Sequence, residues 1–312
     1  MSLVRNFGKI ITSCKKEYRK KRYGQFTLYD NISEGSVLCY GDNADFMKYL
    51  LQKKDMAGKI AQIYIDPPFF SKATYEATVK ITDESGEETK IKKKAYQDIW
   101  DEGMEEYLKM LGLRLMLMKD LLSDNGTIWV HLDWHGMHYV KVLMDEIFGE
   151  KNFVNEIIWT YKSGGSSKTH FARKHDSILV YSKTKNYYLD IPKEKSYNRD
   201  LKPYRFKGVE EFKDDIGWYT LVNMKDVWPI DMVGRTSAER TGYATQKPEA
   251  LIERILRAGS KEGDLVADFF AGSSTLAKVA EDNGRSWICC DNSEVAIDSS
   301  IQRLENKQLS MI

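Results

Sequence analysis

The chain has 312 residues, 47 Lys and Arg against 46 Asp and Glu, and a formal net charge of +1. With 42% hydrophobic and 30% charged residues it can build a large core, which excludes a disordered chain. No run approaches the ~18 uninterrupted apolar residues of a membrane helix, and the first apolar patch is too short for a secretory signal, so no membrane association is expected and the cytoplasm is the default.

The first 34 residues read as a basic N-terminal arm, with eight basic and two acidic side chains within residues 1–30. SVLCY (36–40) is a short strand ending at Gly41-Asp42, and ADFMKYLLQ continues as a helix. KIAQIYID (59–66) is an almost unbroken apolar and β-branched run, the mark of a strand buried on both faces of a parallel sheet. Pro67-Pro68 ends it, because proline cannot continue a ladder. TDESGEETKIKKK (82–94) suggests an exposed hairpin or flap. Apolar residues at helical spacing predict a long helix over 103–122; Asn125-Gly126 then turns the chain into the strand TIWVHLD, and GMHYVKVLMDEIFG is a helix. NEIIWTYK (155–162) and HDSILVYSK (175–183) form an antiparallel pair around the Gly/Ser loop SGGSSKTHFARK. Residues 161–214 carry 13 basic against 7 acidic side chains and nine Tyr or Phe, which suits a surface that tracks phosphates and stacks on bases.

Residues 184–244 lack a clear period and are expected to form a separate small module. After Thr245-Gln246-Lys247-Pro248 the α/β alternation resumes, with strands at 264–269 and 286–291. Cys14, Cys39, Cys289 and Cys290 form no CxxC pattern, so neither a zinc ribbon nor a disulfide framework is expected, and the adjacent pair reads as buried strand thiols. Trp100, Trp159, Trp218 and Trp228 are expected in the core or at interfaces.

Two motifs carry chemistry. Asp66-Pro67-Pro68-Phe69 places a carboxylate at the edge of a parallel strand, where open α/β sheets bind ligands, and follows it with carbonyls and an aromatic face. These groups suit a planar, amino-bearing base. In Asp268-Phe269-Phe270-Ala271-Gly272-Ser273-Ser274-Thr275 a strand meets a small-residue turn and a helix. Asp291, nineteen residues beyond Gly272, ends the next strand and is placed to hold ribose hydroxyls. The turn lacks the glycines of a pyrophosphate cradle, so a nucleoside such as S-adenosyl-L-methionine fits better than NAD.

On these motifs the chain resembles the amino-group DNA methyltransferases in their β arrangement, where the catalytic motif precedes the cofactor motif. The family's D/N/S-P-P-Y/F/W tetrapeptide matches residues 66–69, and its DPFxGSGTT loop resembles residues 268–275, with Phe269 in place of Pro and Ser274 in place of Gly. TQKP stands intact at residues 245–248. The resemblance implies a class I S-adenosyl-L-methionine-dependent, Rossmann-like fold with a mixed seven-stranded sheet. It divides the chain into the basic arm (1–34), a catalytic half (35–183), an inserted target-recognition region (184–240) and a cofactor-binding half (241–312).

The resemblance further implies site-specific transfer of a methyl group to the N6 amine of adenine in double-stranded DNA, after base flipping. The alternatives are N4-cytosine methylation and a non-catalytic DNA-binding subunit of the same fold. Asp66, Pro67, Pro68 and Phe69 would act on the target. Asp42, Gln246, Lys247, the residues from Asp268 through Thr275, Asp291 and Asn292 would hold the cofactor. Lys162, Lys168, Arg173 and Lys174 would contact DNA. A homodimer and a cognate restriction endonuclease are conceivable partners. No metal is expected, because methyl transfer needs none, despite His131, His135 and His138.

Overall fold

The structure, a computed structural model, describes residues 3–29, 35–82, 88–101, 103–162 and 165–309. Three layers form the molecule, with a mixed sheet between two sets of helices. In chain order the elements begin with α1 (Leu3–Tyr18), β1 (Thr27–Tyr29), β2 (Val37–Tyr40), α2 (Asn43–Lys53) and β3 (Ile60–Ile65). A hairpin, β4 (Thr74–Thr82) and β5 (Glu88–Gln97), is followed by α3 (Met104–Leu121), β6 (Leu122–Leu132), α4 (Met137–Phe148), β7 (Phe153–Thr160) and β8 (His175–Ser182). Three short strands, β9 (Lys193–Tyr197), β10 (Phe212–Lys213) and β11 (Trp218–Asn223), pair into a small antiparallel sheet, and β12 (Val227–Pro229) follows. The chain closes with α5 (Glu249–Gly259), β13 (Leu265–Asp268), α6 (Thr275–Asp282), β14 (Ser286–Asp291) and α7 (Glu294–Leu309).

The main sheet has the order β1-β2-β14-β13-β3-β6-β8-β7-β12. Its seven inner strands are those the sequence predicts, and β1 and β12 add one short strand at each edge. The two halves of the chain interleave. β13 and β14 insert between β2 and β3, so Val266 faces Gln62 and Ala267 faces Ile63 in parallel register. The strands that carry the two motifs are thereby neighbours, and their carboxyl ends share one crevice at the point where strand order reverses.

Burial on both faces follows the two-residue strand period. Ile63 and Ile65 of β3, Ile128 and Val130 of β6, and Ile288 and Cys290 of β14 pack in one cluster with α2, α3 and α4. Tyr64, Trp129, Trp287 and Cys289 point the other way and pack with α5, α6 and α7. Each such side chain contributes about 1.5–3 kcal/mol relative to exposure.

Three expectations need correction. The basic arm is not a free arm: Ile10 and Cys14 of α1 are buried in the main cluster, and Tyr18 donates to Asp120 of α3. Its apolar stripe was hidden among lysines and arginines, which occupy the outer face of an amphipathic helix. Residues 184–240 are not wholly separate, because Val227, Trp228 and Pro229 of β12 pair with Ile158, Trp159 and Thr160. Asn125-Gly126 lies within β6, at a register shift against β3 between the Ile60–Leu122 and Gln62–Thr127 pairs. The 82–94 segment is part of an antiparallel hairpin, with residues 83–87 outside the described residues. No helix among the described residues is long and apolar enough to cross a membrane.

Candidate active site

β3 delivers Asp66 to the crevice, and the two prolines after it hold the carboxylate at the strand end. Asp66 Oδ2 accepts a hydrogen bond from Lys247 Nζ, whereas Oδ1 has no hydrogen-bond partner in the protein. His131 Nδ1, from the neighbouring β6, stands 3.7 Å from that oxygen.

His131 is fully buried. Its Nδ1 lies 3.0 Å from the Tyr64 hydroxyl and its Nε2 lies 3.2 Å from Asp176 Oδ2 at the start of β8. A neutral ring satisfies both contacts when Nε2–H donates to Asp176 and Nδ1 accepts from Tyr64. The Tyr161 hydroxyl donates to the other Asp176 oxygen at 3.2 Å. Burial works to raise the Asp176 carboxyl, but the hydrogen bonds from His131 and Tyr161 and the nearby Lys247 charge outweigh it and hold the group below the usual carboxylate range. These contacts join three adjacent strand ends around Asp66.

The turn after Phe69 is clamped by a second carboxylate. Asp98, 1% exposed, accepts from Phe70 N at 3.1 Å, Ser71 N at 2.6 Å, Ser71 Oγ at 2.8 Å and Trp100 Nε1 at 2.9 Å. Four donors satisfy its buried charge and fix the path of the chain beyond the prolines. The Phe69 ring lies 5.6 Å from the His131 ring, with Lys247 Nζ 5.4 Å from its centroid.

On the cofactor side, Asp268 ends β13 and is nine-tenths or more buried; burial pushes its carboxyl well up, while its Oδ1 accepts from Phe270 N at 2.9 Å. Gly272 has φ +51°, a left-handed conformation that glycine enters freely, and an added Cβ would stand 3.2 Å from Tyr243 Cε1. Its N–H donates to Asp291 Oδ2 at 2.8 Å, and Ser293 N donates to Asp291 Oδ1 at 2.9 Å. Burial raises the Asp291 carboxyl to about 6.

One cavity of about 440 Å³ joins the two motifs. Asp66, Pro68, Gln246, Lys247, Asp268, Phe269, Phe270, Ala271, Gly272, Ser273, Thr275, Asp291 and Asn292 all line it. Four predicted residues are absent from that wall. Pro67 is buried beneath it and Phe69 turns toward His131. Asp42 caps α2, accepting from Ala44 N and Asp45 N, and pairs with Arg114 at 2.6 Å, so Arg114 and Asn43 reach the wall in its place. Ser274 takes the left-handed region (φ 51°, ψ 45°) and turns its hydroxyl to Ser300 Oγ at 2.7 Å.

Sequence reasoning missed Tyr96, Trp100, Tyr243 and Arg114, which also line the cavity. Tyr96 comes from the hairpin, which folds back onto α7 through Ala77, Ala95, Val295 and Ala296. The four predicted DNA contacts sit at the same sheet edge. Lys162 and Lys168 are exposed, Lys174 donates to Lys162 O at 3.2 Å, and the Arg173 guanidinium stacks 3.8 Å over Trp134. His135 bonds to Asp133 at 2.6 Å, and no metal-ligating cluster is present among the described residues.

An adenosyl cofactor fits this donor set: a strand-end carboxylate with both oxygens oriented by backbone N–H groups, a glycine turn, and aromatic rings among the lining residues. Its positively charged methyl sulfonium supplies the electrophile, and Asp66 lies on the same wall.

The family model described as a DNA methylase, N6_N4_Mtase, matches residues 60–302. The Type II methyltransferase M.EcaI of Enterobacter cloacae is 29% identical over 93% of this chain and 74% of its own length. Among solved structures, the M1.HpyAVI–SAM complex superposes with a TM-score of 0.54 at 17% identity, covering 86% of this chain and 98% of that one. The cytosine-N4-specific PvuII DNA methyltransferase superposes with a TM-score of 0.59 at 15% identity, covering 89% and 94%. These likenesses support the fold, and the model match spans catalytic strand, cavity and cofactor turn alike: the chain belongs to the N6/N4 amino-group DNA methylase family, which transfers methyl groups from S-adenosyl-L-methionine to DNA.

Proposed function

We propose that the methylated group is the N6 amine of adenine in double-stranded DNA. The observation that carries this reading is Asp66: a full carboxylate, rather than a hydroxyl, ends the catalytic strand, and its Oδ1 has no protein hydrogen-bond partner. An exocyclic amine is a weak nucleophile because its lone pair is delocalised into the ring. Asp66 and the Pro67 carbonyl would accept its two N–H bonds, draw the nitrogen toward tetrahedral geometry and localise the lone pair. In-line transfer then rests on positioning and electrostatics, with no covalent enzyme intermediate. The target base must leave the helix at a cost of a few kcal/mol, and stacking on Phe69 would return about 1–3 kcal/mol.

Lys162, Lys168, Arg173 and Lys174 would hold the phosphates beside the flipped base, and residues 184–240 would read the sequence. Nucleoside mass spectrometry of unmethylated DNA treated with the protein and S-adenosyl-L-methionine tests the base assignment. N6-methyladenine is expected; N4-methylcytosine alone would overturn it and leave the cytosine reading.

A further inference from the structure

Phe171 exposes 98% of its surface, more than any other large apolar side chain among the described residues. It sits in the connection between β7 and β8, where three contacts link residues 167–171. Ser167 Oγ accepts from Thr169 N at 3.2 Å and from His170 N at 3.3 Å, and His170 Nδ1 lies 2.9 Å from the carbonyl of Phe171. The Arg173 stack on Trp134 ties the next turn to the body of the protein. The ring is therefore presented outward from a held backbone.

The loop is rooted at the catalytic edge. β8 starts at His175, and Asp176 bonds the same His131 ring that stands 3.7 Å from Asp66. Lys168 and Arg173 flank the phenylalanine within three residues on either side, both exposed. An apolar ring between cations suits a surface that places phosphates on either side of a base step.

Flipping a base leaves a gap in the stack, and the flipped state persists only if something occupies that gap. Apolar side chains serve DNA-bending proteins as wedges between base steps. We propose that Phe171 enters the base stack and fills the space left by the target base. It is a positioning residue, acting on the equilibrium between stacked and flipped base and touching neither cofactor nor reacting atoms. The proposal rests on the chain's family substrate, DNA, and not on the choice between adenine and cytosine.

The test uses the full chain and a duplex oligonucleotide carrying the sequence that the wild-type protein is found to methylate. Phe171→Ala should lower kcat about tenfold or more. The dissociation constant for S-adenosyl-L-methionine and the melting temperature should not change. Phe171→Trp should keep near wild-type turnover. On a duplex in which the target base is mispaired, extrusion costs less and the Phe171→Ala defect should shrink by most of its size.

Turnover of Phe171→Ala within about twofold of wild type on the paired duplex would overturn the proposal, as would an equal loss on paired and mispaired duplexes. A product on cytosine would defeat the adenine reading alone, and the same comparison would then run on the cytosine duplex.

Discussion

Lys247 and Asp66, 181 residues apart, form an ion pair in which the lysine ammonium donates to the carboxylate Oδ2. The lysine also donates to Thr245 O at 3.3 Å, so TQKP reaches the catalytic motif directly. Its charge offsets the crowding of Asp66 and Asp268 at adjacent strand ends. Lys247→Met is expected to lower kcat about 10- to 100-fold, which is ~1.4–2.7 kcal/mol of barrier, with a smaller effect on cofactor affinity. Steady-state kinetics beside calorimetric cofactor titration checks this; unchanged kcat with a large loss of affinity would make Lys247 a cofactor ligand only.

Asp291→Ala should weaken cofactor binding by ~1.5–3 kcal/mol, the range for a hydrogen bond to a charged group. The pH dependence has a defined sign. Burial raises the Asp291 carboxyl to about 6, so the acceptor form dominates above that pH and protonation removes it below. Cofactor affinity should approach its full value about one unit above pH 6 and fall by up to about tenfold per unit below pH 6. The raised value also means that the cofactor-free folded chain binds this proton more tightly than the unfolded chain does. This group's stability contribution is thus lost as pH rises through 6, and Asp291→Asn should melt no lower than wild type at pH 7. Calorimetry between pH 5 and 8 decides, and a flat profile would separate Asp291 from the ribose.

Removing residues 1–24 should lower the melting temperature and leave the salt dependence of DNA binding intact, because α1 packs on α3. Ile10→Ala isolates the packing and is expected to cost about 2–5 kcal/mol. If truncation leaves Tm unchanged and flattens the salt slope, the helix contacts DNA instead.

The β7–β8 loop carries the opposite expectation. Charge-neutralising Lys162, Lys168, Arg173 and Lys174 should flatten the log K versus log salt slope by about 0.9 for each phosphate no longer neutralised, with sequence preference retained. Arg173 should also loosen the loop when replaced, since its guanidinium lies over Trp134. A slope that stays constant across the set would remove the loop from the DNA interface.

Asp66 and Asp291 were legible because each ends an apolar strand run, and the position of a strand end fixes where its carboxylate lies. Gly272 was legible for the same reason, as a small residue between strand and helix. His131 was not, because its partners Tyr64 and Asp176 stand 67 and 45 residues away and meet it only through sheet register. Tyr96 reaches the cavity by a hairpin fold-back that local periodicity does not encode. Asp42 is instructive in another way: an acidic residue after a strand served equally well as a helix cap, and the capping bonds won.

The central claim is that Asp66 acts on the target amine and not on the cofactor. Methyl transfer to DNA and cofactor binding, measured on the same Asp66→Ala preparation, tests it most directly. The expected result is loss of transfer with the S-adenosyl-L-methionine dissociation constant changed several-fold at most. Retention of more than about a tenth of wild-type turnover, a loss under ~1.4 kcal/mol, would contradict it.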